Sequence, residues 1–386
     1  MMSNYFSKSQ IDLLAKAKSE KKYIHLKNEN EKLKEVMNIK NFNKLISMHN
    51  CWDHKNFSLV LNKNLIPFSV FSTLGNDLGF SKMAPDPITV EHYIRKGASL
   101  VLNDLVYLSK EIEELASDLQ IITNGKCQAN LYFSMQSHQA FAPHYDTHDV
   151  FALHCEGEKL WNIYENFEKD PINHPIYKQE LSDKTEKPGK IIDQVLLKPG
   201  DLLYLPRGQF HDALASKNGA IHIAFGVTYL KPIDIFQYYY EKLIVNDYFR
   251  SDIREINSTH DIKDIHTEIS SQLNKIFNDD KLYEHSLNYF RQWPYKLVDY
   301  NIQKIINDGV QYEISKNISI SDEGQKLFLV NEKNKVPVPD KFLDITKFVF
   351  KNKTISYKSI KSEFHNVTDK TINEFIDAMK NMKVFI

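Results

Sequence analysis

Apolar positions change their period along this chain, and each change predicts a different kind of element. Between residues 8 and about 48, Ile11, Leu14, Leu33, Val36 and Met37 recur at helical spacing among Lys and Glu, which predicts solvated surface helices. Ser58–Leu61 reads as an edge strand. A short helix follows from Ile88 to His92, punctuated by Lys96-Gly97, and Ser99–Asn103 reads as a strand. Ile112, Leu115, Ala116 and Leu119 then mark one face of an amphipathic helix. Ser109 stands where its cap belongs, with Glu111 and Glu113 near the positive end of the helix dipole.

From Cys127 to Ile223 the pattern is strand-like. Gln128–Ser134, Val150–His154, Lys159–Tyr164, Ile191–Leu197, Asp201–Leu205 and Ala220–Phe225 are short apolar runs, separated by Gly157, Pro199-Gly200, Gly208 and Asn218-Gly219. Many short strands between turns predict a sandwich or barrel, a jelly roll being one solution. The polar stretch 165–190 reads as a loop insertion. After Lys231-Pro232 the period returns to helical, through Tyr238–Tyr240, Leu243 and Ile244 and then Ile262, Ile265, Ile269 and Ile276. Tyr283, Tyr289, Phe290 and Trp293 are more aromatic surface than a solvated helix needs, which predicts a packing partner. The C-terminal stretch reads as a small α+β module. One helix is marked by Phe342, Leu343, Ile345, Phe348 and Val349, a second runs from Ser356 to His365, and a third from Asp369 to Lys380 is capped by Thr368. A terminal strand over Met382–Ile386 completes a winged-helix-like outline. The fold class is α+β.

Composition adds limits. The chain has 386 residues, which predicts two or three domains, and its 42% hydrophobic and 26% charged content is ordinary for a globular protein. A net charge of -1 builds in no attraction to nucleic acid or to an acidic membrane. The 3 cysteines, Cys51, Cys127 and Cys155, have neither disulfide-framework nor zinc spacing. No apolar run is long enough to span a membrane, and residues 1–8 lack the apolar run of a signal peptide, so the expected location is the cytoplasm.

The candidate chemistry lies in His144-Tyr145-Asp146. Residues i and i+2 of a strand share a face. One strand can therefore offer an imidazole and a carboxylate to a single metal. His154-Cys-Glu156 and His266-Thr-Glu268 have the same form, so the triplet alone discriminates little. His211, just beyond the Lys198-Pro-Gly-Asp201 turn and the run ending at Pro206 and Gly208, is the candidate third ligand. Two His and one carboxylate on one face, with open positions opposite, is the arrangement of non-heme Fe(II) oxygenases. Mn, Co, Ni and Zn also suit these donors. Lys159, in Gly157-Glu-Lys-Leu-Trp161, has two readings: a lysine snorkelling to the surface, or a fixed cation for a dicarboxylate.

Together these segments carry a resemblance. The region from roughly Ala98 to Tyr229 resembles a JmjC-type cupin of the ribosomal oxygenase group, which are 2-oxoglutarate-dependent protein hydroxylases. The matching segments are Asn130-Leu-Tyr132, His144-Tyr-Asp146, His148-Asp-Val-Phe151, Gly157-Glu-Lys159 with Trp161 and Tyr164, and Lys198–Gly208 with His211. The resemblance implies a double-stranded β-helix (jelly-roll cupin) core, with Fe(II) on His144, Asp146 and His211. It implies 2-oxoglutarate and O2 as cosubstrates, and Lys159 on the distal carboxylate. Asn130 is then a polar contact to the cosubstrate, and Tyr132 touches the target side chain. The implied domains are an N-terminal helical and edge-strand region (1–92), the JmjC cupin (93–230), a helical dimerisation region (231–310) and a winged-helix-like end (311–386). Two positions depart from the pattern. His154 stands where the group usually has Gln, and His222-Ile-Ala224 where a Thr hydroxyl is common.

The implied activity is side-chain hydroxylation of a protein or peptide, ribosomal-protein-like, by a homodimer. Hydroxylation of a small ribosomally made peptide or a free amino acid, and N-methyl demethylation, use the same site. A reading of another class is a DNA-binding regulator with a vestigial cupin, using Lys351, Lys353, Lys358, Lys361, Lys370, Lys380 and Lys383. The third helix of that end offers few residues suited to reading bases, which favours a structural module without nucleic acid.

Overall fold

The structure is a computed structural model that describes residues 3–28, 31–75, 82–135, 142–177, 187–253, 256–291, 302, 306, 309–324, 326–331, 334–352 and 354–385. Trp293 and Lys353 lie outside these residues. The chain divides into two compact units, Met1–Leu297 and Val298–Ile386, each with its own core. No helix among the described residues is long and apolar enough to cross a membrane.

In the first unit the strands are, in chain order, β1 (Ile24–Leu26), β2 (Phe57–Leu61), β3 (Asn64–Ile66), β4 (Ser72–Gly75), β5 (Lys82–Pro85), β6 (Ser99–Leu102), β7 (Lys126–Ser134), β8 (Asp149–Phe167), β9 (Ile191–Leu197), β10 (Leu202–Leu205) and β11 (Gln209–Thr228). β4 and β5 pair only with each other. The others form a nine-stranded sheet in the order β1-β10-β8-β11-β7-β6-β2-β3, with β9 also on β8. Its pairs are all antiparallel.

Val150–Cys155 shows no polar alternation because both faces of β8 are covered. Phe151, Leu153 and Cys155 enter the main core with Leu202, Tyr204, Ile221, Ile223 and Phe225. Val150 and Ala152 enter a second core with Leu203, Leu205, Trp161 and Ile163. The inward set is thus even-numbered before Gly157 and odd-numbered after it. β8 and β11 change phase together, with register shifts between Ala215 and Ala220 and between Ile221 and His222. Gly157 has φ +70, and a Cβ there would lie 2.1 Å from the Gly219 carbonyl oxygen, so only glycine fits.

Several expectations are corrected by these pairings. Val150–His154 and Lys159–Tyr164 are one strand: Gly157 is an irregularity within β8, since β11 pairs with it on both sides. Asn218-Gly219 likewise lies within β11. Ser58–Leu61 belongs to an inner strand, because β2 is flanked by β3 and β6 and its Leu59 is fully buried. Ser109 precedes the helix Lys110–Thr123 but its hydroxyl bonds Glu111 and caps no backbone N–H. The N-terminal helices Lys8–Glu20, Glu31–Glu35 and Ile39–Ile46 are solvated on one side only. Their Leu14, Leu33, Phe42 and Leu45 enter the main core.

Helices Pro232–Leu243, Asp247–Arg250, Thr259–Phe277 and Asp280–Phe290 follow the sheet. Tyr239 meets Phe277 edge-on at 5.0 Å and its hydroxyl accepts from Ser286. The second unit holds helices Leu343–Lys351, Tyr357–Glu363 and Asp369–Asn381 around Phe342, Ile345, Val349, Ile372 and Phe375. Ser356 and Thr368 cap the last two through their side chains. Short strands precede and join them: β12 (Gln311–Glu313), β13 (Ser319–Asp322), β14 (Leu327–Val330), β15 (Lys335–Pro337) and β16 (Thr354–Ser356). Among the described residues, the expected terminal strand is a single bridge, Ile314 to Phe385, and Ile386 lies outside them.

Candidate active site

His144 and Asp146 lie on a short extended segment that pairs with the start of β11. His144 and His211 exchange backbone hydrogen bonds of 3.0 and 2.8 Å, and the Gly208 N–H donates to the Asp146 carbonyl at 2.9 Å. Tyr145 points the other way, is buried, and meets Phe210 edge-on at 5.0 Å. Alternation therefore sends His144, Asp146 and His211 to one side, where one ligand atom from each lies within 4.8 Å of the others. His211 Nε2 is 3.5 Å from Asp146 Oδ2.

The tautomers suit a metal. His144 Nδ1 is 2.9 Å from the Ala142 carbonyl, and His211 Nδ1 is 2.9 Å from the Gln209 carbonyl. A carbonyl only accepts, so each Nδ1 carries its proton and the lone pair is on Nε2. Burial holds the His211 imidazole at a pKa of about 4, keeping it neutral. Two imidazoles and one carboxylate fit Fe(II), with one face left for exogenous ligands.

These side chains open onto a cavity of about 250 Å³, also lined by Tyr132, Ser134, Val150, Lys159, Trp161, Ala213, His222 and Ala224. The phase change at Gly157 puts Lys159 on this wall. Lys159 is only 5% exposed, and among the described residues no carboxylate lies within ion-pair distance of it. Burial lowers its pKa from 10.5 to about 7. Its Nζ is 3.4 Å from His222 Nδ1. The snorkelling alternative is excluded by this burial.

Residues 107–234 match the family model of the JmjC domain. This segment is a JmjC domain. The chain is similar to two curated proteins named bifunctional lysine-specific demethylase and histidyl-hydroxylase NO66. The Drosophila persimilis protein is 38% identical over 36% of this chain and 19% of its own length. The Dictyostelium discoideum protein is 32% identical over 44% of this chain and 34% of its own. The chain thus matches about a third or less of either relative. Among solved structures, the Escherichia coli ribosomal oxygenase YcfD aligns over 100% of this chain and 99% of its own, with a TM-score of 0.51 at 15% identity. At that identity the likeness concerns the fold.

The remaining candidates in the JmjC domain fall into place unevenly. Tyr132 lines the cavity and stacks on His222 with centroids 4.8 Å apart. Burial raises its hydroxyl to about 12, and that hydroxyl bonds the Asn130 side chain. Asn130 is not among the lining residues, and its Oδ1 accepts from the Asp104 N–H at 3.2 Å. His154, fully buried, bonds the Gly157 carbonyl at 3.0 Å and also stays off the lining. Ala224 does line the cavity, so the missing hydroxyl is a real difference in its wall.

Trp161 and His222 also line the cavity, beyond the site residues that the sequence predicts. Trp161 stacks on His211 at 5.6 Å, and its buried indole N–H has no hydrogen-bond partner among the described residues. Only its spacing of two from Lys159 on an apolar strand could have signalled it. For His222 no local signal exists, because its approach to Lys159 depends on the register of β11 against β8.

Proposed function

We propose that this chain is an Fe(II)- and 2-oxoglutarate-dependent dioxygenase that hydroxylates an amino-acid side chain of a protein or peptide. The observation that carries the reading is Lys159. A buried cation without a carboxylate partner is costly unless an anion joins it. This one shares a small cavity with a two-His, one-Asp ligand set, and a dicarboxylate that also reaches the metal satisfies both.

Iron with 2-oxoglutarate and O2 supplies the oxidant for an unactivated C–H bond. The protein does the rest. His144, Asp146 and His211 hold one face of the metal. Lys159 takes the distal carboxylate. Trp161 packs on His211 and fixes its ring. Val150, Ala213 and Ala224 give the cavity apolar walls that limit water. Tyr132 is placed to touch the target side chain, with Asn130 steadying its hydroxyl.

The same reading extends to the architecture. The sheet closes as a double-stranded β-helix (jelly roll), the helices after Lys231 make a homodimer, and the second unit is winged-helix-like and structural. Supporting the last point, Lys361 pairs with Asp369 at 2.8 Å and Lys347 with Asp322 at 2.7 Å, which reduces the free basic surface. A cytoplasmic setting and a ribosomal-protein-like substrate go with this reading.

N-methyl demethylation is the second reading, because the relatives are named for both activities. Comparative mass spectrometry of cell protein with and without this chain tests both. Hydroxylation adds one oxygen atom to a target peptide. Demethylation instead removes a methylene and releases formaldehyde. Neither change in any peptide, with active protein present, overturns the proposal.

A further inference from the structure

Lys159 and His222 are 5% and 4% exposed, and both line the cavity. A lysine ammonium has donors and no acceptor. With Lys159 as the ammonium, the imidazole accepts in the 3.4 Å contact between Nζ and Nδ1, and its proton sits on Nε2. That contact is the one hydrogen bond found for the His222 side chain among the described residues. The Nε2–H is thus a donor for which no acceptor is found among the described residues, on an enclosed ring. The ring is held from two sides. Tyr132 stacks on it at 4.8 Å and 12°, and Trp161 meets it edge-on at 5.5 Å and 88°.

A carboxylate offers about four acceptor sites, and an ammonium with one N–H engaged has about two donors left. Lys159 alone leaves a bound carboxylate short of partners. Ala224, the next inward residue on β11, supplies no donor. We infer that His222 is a second anchor for the distal carboxylate of the 2-oxo acid, with Nε2–H donating to one oxygen while Lys159 pairs with the charge. The inference rests on the 2-oxoglutarate reading above and deepens it. His222 also orients Lys159 through Nδ1, so one side chain sets the geometry of both contacts.

The test is a ligand–variant cycle read by calorimetry on the full chain loaded with Fe(II) under argon, where no turnover occurs. The ligands are 2-oxoglutarate and 2-oxopentanoate, which has a methyl group in place of the distal carboxylate. Wild-type protein prefers 2-oxoglutarate. His222→Phe keeps a ring in the stack without nitrogen, and its preference shrinks about tenfold or more, the scale of one hydrogen bond to a charged group. His222→Gln, which retains an N–H, keeps most of the preference. Fe(II) affinity without the 2-oxo acid is unchanged in both. His222→Leu serves if the Phe variant does not fold. An undiminished preference in a folded Phe or Leu variant overturns the role of His222 and leaves the 2-oxoglutarate reading standing. Equal affinity of the wild type for the two acids overturns both.

Discussion

His144 and His211 face each other across a reciprocal pair of backbone hydrogen bonds, with ring centroids 4.6 Å apart. The backbone pairing makes the ligand geometry independent of the metal. Replacing either imidazole leaves those bonds intact, so the fold should survive. The His144→Ala, His211→Ala double variant should melt cooperatively, bind Fe(II) at least about tenfold more weakly, and form no succinate from 2-oxoglutarate. Succinate formation by the double variant would remove these residues as ligands.

Lys159→Ala should raise the apparent KM for 2-oxoglutarate by about tenfold or more, given a few kcal/mol for removing one partner of a buried pair. Iron affinity should stay the same, because Lys159 is not a ligand. Lys159→Arg should recover only part of the loss, since a planar guanidinium does not occupy the space of an ammonium. Steady-state succinate assays over a range of 2-oxoglutarate concentrations measure this. An unchanged KM would mean that another cation holds the carboxylate.

The same lysine makes ligand-free stability depend on pH. Burial lowers its folded-state pKa from 10.5 to about 7. Between these values the unfolded chain binds a proton that the folded chain has released, so stability rises with pH across that window. Below about pH 7 the folded state carries the full penalty of a buried ammonium. Lys159→Met removes it and should stabilise the metal-free protein at pH 6 by on the order of a few kcal/mol. The gain should fade as pH rises from about 7 towards 10. Thermal melts of both proteins across this range check it, and a difference that does not vary with pH would count against a buried, unpaired Lys159.

Gly157→Ala should destabilise the protein by more than about 2 kcal/mol, because φ is +70 and the new Cβ would meet the Gly219 carbonyl. It should also weaken 2-oxoglutarate binding, since the phase of β8 sets the direction of Lys159. Urea melts and calorimetry read the two effects. Wild-type stability would show that the phase change does not depend on this glycine.

Ile233, Phe236, Tyr240 and Ile244 are each about half exposed and share one face of the helix Pro232–Leu243 and its C-cap. Such a stripe is apolar surface that a homodimer would cover. Light scattering at micromolar concentration should give twice the chain mass, and Phe236→Glu should return the monomer. A monomer mass for the wild type would end the dimer proposal.

Much of the site is a local property of the sequence. Alternation along an extended chain places His144 and Asp146 on one face whatever surrounds them, and the polar turn before Leu202 starts the strand that leads to His211. Helical periodicity likewise located Lys110–Thr123 and Asp369–Asn381, because the apolar face of a helix is set by neighbours a few residues away. Tertiary structure decided what depends on pairing at a distance. Whether Gly157 ends a strand or shifts its phase is settled by Gly219, whose carbonyl occupies the space of a side chain. Whether β2 is an edge depends on β3 and β6. Asn130 and Tyr132 share a face by alternation, yet only Tyr132 reaches the cavity. The contact of His222 with Lys159 arises because β11 shifts register in step with β8, and cross-strand register is fixed by long-range backbone hydrogen bonds that no local pattern encodes.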